Sequence, residues 1–82
     1  MGVQEGLVEN THRHVQLRDD LGDFFRARRQ ELGLTQEDVA YSAKLEQTVV
    51  SKIERGVYRP SHERARRIAL ALRLHENALF KS

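Results

Sequence analysis

From Leu17 onward the apolar residues return at helical spacing. Leu17, Leu21, Phe24, Phe25 and Leu32, with the stem of Arg28, share one face, which predicts a first helix over about 18–32. Asp19, Asp20 and Asp23 lie near its start, where the helix dipole favours negative charge. Gly33 is placed to end it as a C-terminal cap. Thr35 then reads as the N-cap of a second helix, and Asp38 can return a hydrogen bond as a shortened capping-box residue. Leu34 and Val39 have the spacing of a hydrophobic staple. The second helix runs to about Ala43 with Val39, Ala40 and Ala43 inward, and the small Ala40 suits a close helix crossing.

A tight turn at Lys44, Leu45 and Glu46 leads to a third helix over about 47–55, stopped by Gly56. Val50 and Ile53 point to the core, and Val49 lies at its edge. Gln47, Thr48, Ser51, Lys52 and Arg55 form a single polar stripe on the other face. Ser61 caps a fourth helix to about Leu72, with Ala65, Ile68, Ala69 and Leu72 inward and Arg64, Arg66 and Arg67 outward. A short fifth helix follows His75, with Leu74 and Leu79 as a staple pair and Phe80 near its end. The expectation is an all-α, compact five-helix bundle over 17–82, preceded by a mobile arm over 1–16 that shows no period.

Composition narrows the function. A chain of 82 residues makes one domain with a modest core, too small for a deep metabolite cavity, so no small-molecule substrate is expected. The absence of cysteine excludes disulfides, thiol catalysis and cysteine-based zinc sites, and fits a cytoplasmic protein. No apolar run reaches the length of a membrane span, and the N-terminus lacks a signal-peptide pattern. His12 and His14 lie two apart in the arm, but structural zinc wants four ligands, so neither metal nor cofactor is expected. Glu54, His62 and His75 could act as bases, yet no nucleophile, metal set or phosphate loop accompanies them, which argues against an enzyme.

Charge adds a direction. Residues 1–43 carry five Arg against eight Asp and Glu, a net of −3, whereas residues 44–73 carry eight Lys and Arg against three Glu, a net of +5. The basic half is suited to a nucleic-acid phosphate backbone; a solvated, charge-rich surface is the bland alternative.

The ordered set Leu34-Thr35-Gln36-Glu37, Ala40, Val50-Ser51, Ile53-Glu54-Arg55-Gly56, Pro60-Ser61, Ile68-Ala69 and Leu72 resembles the Cro/C1 phage-repressor type of helix-turn-helix, the XRE family, over about residues 20–80. The size and the opening over 35–41 are also similar to the controller proteins of restriction-modification systems. The resemblance implies a lambda repressor-like fold and a sequence-specific transcriptional regulator that binds double-stranded DNA as a homodimer. It places the third helix in the major groove, with Gln47, Thr48, Ser51 and Lys52 at bases. Thr35 and Gln36 at a helix start, with Arg29, Arg55 and Arg59, would meet phosphates. It also implies an Arg29–Glu54 pair that ties the third helix to the first.

The dimer contact is expected on the last two helices, from Leu70, Leu74, Leu79 or Phe80, unless these only close the monomer core. Lys44 and Arg73 stand where the family often has Gly, and Glu46 stands at an N-cap better served by Ser, Thr or Asp. The competing function is an antitoxin or protein-binding adaptor that uses the arm.

Overall fold

Among the described residues four α-helices carry the fold: α1 Leu21–Glu31, α2 Gln36–Ala43, α3 Gln47–Glu54 and α4 His62–Ala71. The structure is a computed structural model and describes residues 16–80. Among those residues there is no strand beyond one isolated bridge between Leu17 and Phe80. Residues 1–15 of the expected mobile arm, with His12 and His14, lie outside the described residues. Leu21 and Phe25 from α1, Val39, Ala40 and Ala43 from α2, Val50 and Ile53 from α3, and Ala65, Ile68 and Ala69 from α4 form a single core. Leu17, Leu72 and Leu79 complete it.

Two elements differ from the sequence expectation. Helix α1 begins at Leu21 rather than near 18, because the preceding residues have other partners. The Arg18 N–H donates to the Leu79 carbonyl at 2.8 Å, and its guanidinium pairs with Asp20 at 2.6 Å. That guanidinium also lies 3.8 Å from the centre of the Phe24 ring. The expected fifth α-helix is instead a four-residue 3-10 turn, Glu76–Leu79. His75 caps it, accepting from the Asn77 N–H at 3.0 Å, and Phe80 is drawn into the extended bridge with Leu17. No residues remain to lengthen the turn before that pairing.

All four helices end in the same way. A residue with positive φ follows each one: Gly33 at 70°, Lys44 at 58°, Gly56 at 78° and Arg73 at 59°. The next residue sends its N–H back five positions. Leu34 reaches Arg29 O at 3.0 Å, Leu45 reaches Ala40 O at 2.9 Å, Val57 reaches Lys52 O at 3.0 Å and Leu74 reaches Ala69 O at 2.9 Å. This is the Schellman arrangement, and in each case an apolar residue donates the closing bond. Glycine adopts such a φ freely; Lys44 and Arg73 do not, and both are met by a guanidinium. Arg28 donates to Leu72 O at 3.0 Å and Arg73 O at 3.5 Å. Arg67 donates to Ala43 O and Lys44 O, each at 3.0 Å.

Candidate nucleic-acid interface

The α2–α3 pair is built from strong local signals at one end and tertiary ones at the other. Thr35 and Asp38 form a complete capping box: Thr35 Oγ1 accepts from the Asp38 N–H at 3.0 Å, and Asp38 Oδ2 accepts from the Thr35 N–H at 2.8 Å. The backbone and hydroxyl bonds from Thr35 hold the Asp38 carboxyl below the usual carboxylate range. Glu46 makes no side-chain cap for α3. That helix is instead held by what it buries, Val50, Ile53 and Glu54.

Among the described residues Glu54 is the one buried charged side chain, 4% exposed. Its carboxylate accepts from Arg29 Nε at 2.7 Å and Nη2 at 3.1 Å, the two-point geometry that a guanidinium and a carboxylate share. The bond to Glu54 raises the already high pKa of Arg29. Arg29 Nη1 donates to Leu34 O at 2.9 Å. All three guanidinium nitrogens are therefore engaged inside the domain. These three bonds use three of the five guanidinium N–H donors.

The pair extends outward through two glutamines. A carboxylate can only accept, so Gln36 turns its amide nitrogen to Glu54 Oε1 at 3.0 Å. Its carbonyl oxygen is left to accept from Gln47 Nε2 at 3.1 Å. A continuous hydrogen-bonded chain thus runs from Arg29 in α1 through Glu54 to Gln36 at the start of α2 and Gln47 at the start of α3. Beyond it Gln47 retains one N–H and its carbonyl oxygen.

Close approach of α1 to α3 makes the chain possible. A Cβ on Gly22 would lie 2.3 Å from Ile53 O and 2.8 Å from Glu54 O, so this position admits only glycine. Gly22 and Arg29 are seven residues apart and share a helix face.

The structure brings the remaining polar stripe together. Gln47, Thr48 and Lys52 are exposed on α3 and Arg55 at its C-cap, with Ser51 half-buried between them and 3.4 Å from Arg55 Nε. Thr35 is exposed at the α2 start. Arg59 lies apart from this stripe in the chain and donates from Nη2 to Leu17 O at 2.6 Å, which ties the loop after α3 to the N-terminal segment. Of the residues expected at a dimer surface, Leu70 is 71% exposed, and Leu74 and Phe80 are half-buried. Leu79 is fully buried and belongs to the core, against which Leu74 also packs.

Sequence reasoning missed Arg28, Arg67 and Gly22. The signal for the arginines was the absence of glycine at 44 and 73, since a helix end without it gains from a donor to its last carbonyls. Among the described residues no group of His, Asp and Glu is arranged to hold a metal, and no helix is long and apolar enough to cross a membrane.

A family model described as a helix-turn-helix domain matches residues 20–79. Among solved structures, the restriction-modification controller protein C.AhdI from Aeromonas hydrophila is 31% identical, over 76% of this chain and 94% of that one, with a TM-score of 0.71. The controller protein C.Esp1396I, solved as a tetramer in complex with its natural 35 base-pair operator, is 28% identical over 73% of this chain and 79% of that one, with a TM-score of 0.69. The clp gene regulator ClgR from C. glutamicum is 27% identical over 77% of this chain and 82% of that one, also with a TM-score of 0.69. No curated protein matches the chain.

Proposed function

The chain belongs to the helix-turn-helix domain family, and from that premise we propose that it is a sequence-specific regulator of transcription that binds double-stranded DNA as a homodimer. The reading places it in the cytoplasm, with a DNA-binding domain of the phage-repressor type over 17–82.

The observation that carries the reading is the chain from Arg29 through Glu54 and Gln36 to Gln47. It fixes the first residue of α2 and the first residue of α3 relative to one another before any ligand arrives. Helix N-termini are where phosphates bind and where a recognition helix reaches bases. Gln47 keeps a donor and an acceptor side by side, the pattern that the adenine edge accepts. Thr48 offers a methyl to thymine, and Ser51 and Lys52 lie one turn on, Lys52 suited to guanine. Thr35, Gln36 and Arg55 take phosphates, joined by the remaining donors of Arg59, while Arg29 supports them from within. The relatives that carry this fold include an operator-bound controller protein, which supports the same use here.

Dimerisation follows from the same reading. Leu70 stands out of the core on α4, with Leu74 and Phe80 partly open beside it. Two copies related by a two-fold axis would set their α3 helices about 34 Å apart, one turn of DNA. Selection of bound duplexes from a random pool tests the reading. The expected outcome is a motif of two symmetric half-sites about one helical turn apart, with binding that weakens steeply as salt rises. Enrichment of no motif would overturn it.

A further inference from the structure

We propose that Arg67 is a positioning residue for DNA reading: it holds the α2–α3 turn in a conformation that Lys44 resists, and so sets the direction of α3. The inference rests on α3 being the reader.

Lys44 sits at φ 58° and ψ 47°, in the left-handed region that a side chain disfavours. The turn leads directly into α3, and Glu46 supplies no cap that would anchor that helix locally. Arg67 reaches in from α4. Its Nε and Nη2 each lie 3.0 Å from a carbonyl oxygen, of Ala43 and Lys44 respectively. These carbonyls close α2, where the helix dipole concentrates partial negative charge, so the bonds are charge-assisted by the guanidinium and favoured by the dipole. A fork that grips two successive carbonyls also fixes the peptide planes, and with them the exit angle of the chain. Glu63 holds the same guanidinium from its own helix, with 3.6 Å between Glu63 Oε2 and Arg67 Nη1.

The molecule contains its own control. Arg28 makes the same two-carbonyl grip on Leu72 and Arg73, and Arg73 has φ 59°. That turn leads to the 3-10 turn Glu76–Leu79 and not to α3. The chemistry is the same at both turns, and only one of them aims the reader.

The test uses the full chain, a duplex taken from the selection and an unrelated duplex, at a temperature where each variant is folded by circular dichroism. Arg67→Ala should weaken the selected duplex about tenfold, leaving the unrelated duplex and the salt slope unchanged. Arg28→Ala should lower the melting temperature comparably without changing the ratio of the two affinities. In a Lys44→Gly background, where the turn needs no brace, Arg67→Ala should cost about threefold or less. Arg67→Lys keeps the charge but loses the fork, and should fall between wild type and Arg67→Ala; it serves if the alanine variant does not fold.

Equal loss on both duplexes with a salt slope reduced by about one would mark Arg67 as a phosphate contact and overturn the inference. So would the same ratio change in Arg28→Ala, or an undiminished loss in the glycine background. If wild type selects no duplex, the functional reading falls as well; if it does and Arg67→Ala behaves like Arg28→Ala, only this inference falls.

Discussion

Residues 40–47 and 69–76 follow one backbone course and lead to different elements. Each begins at a buried alanine, Ala40 or Ala69, and passes an exposed apolar or aromatic residue, Tyr41 at 88% or Leu70 at 71%. Each reverses at a non-glycine residue with positive φ, Lys44 or Arg73, and closes through a leucine, Leu45 or Leu74. Each is braced by an arginine from another helix. Beyond the turn the first yields an eight-residue α-helix and the second a four-residue 3-10 turn. The local caps point the other way: His75 caps the short element, and Glu46 leaves the long one uncapped. Helix length here is therefore decided by what the helix can bury further on. The first segment finds Ile53 and Glu54 to carry it into the core, and the second meets Leu17 and turns extended.

The strongest way to break this contrast is to remove the far anchor of α3. Glu54→Ala leaves the Arg29 guanidinium inside the domain without its partner and should cost about 3–5 kcal/mol, read by urea unfolding. A loss below about 1 kcal/mol would mean that Ile53 alone extends the helix. The weaker intervention acts at the near end. Glu46→Ser should raise stability by about 1 kcal/mol while the amide protection of α3 keeps the same boundaries. If those boundaries moved, caps would be setting helix length after all.

The smallest effect sharpens the view of the helix that precedes the first turn. The bonds from Thr35 depress the Asp38 carboxyl pKa. Its contribution to stability is complete above the unfolded value of about 3.9 and is lost as pH falls through the lower folded value. Asp38→Asn should lower stability slightly at neutral pH, leave it nearly unchanged below the folded carboxyl value, and so flatten the acid limb of the stability curve. An acid limb identical to wild type would show that the capping box does not contribute through that carboxylate.

The parts legible in the sequence were those whose cause lies within a few residues. The Thr35–Asp38 box, the Ser61 cap, the reversals at Gly33 and Gly56 and the inward set from Val39 to Leu72 all have local signatures. Arg67 and Arg28 were not legible as braces, because each acts on a helix end more than 20 residues away in the chain. On their own helices they read as ordinary outward or stem-packed cations. Gly22 reads locally as a weak residue in a helix, and only the carbonyls of Ile53 and Glu54 explain it. The polar stripe on α3 was readable from spacing. The order of its hydrogen bonds was not, since it depends on Glu54 being a pure acceptor at the root of the chain.

That root makes positions 36 and 47 a single unit in mutational terms. A change at Gln47 removes a donor from Gln36, and a change at Gln36 frees Gln47 from its tether, so the two effects cannot add. On the proposed reading, retargeting this domain to a new sequence one residue at a time would therefore pass through intermediates poorer than either end. The workable route exchanges the two positions together, with Glu54 kept as the fixed point from which a new pairing is built.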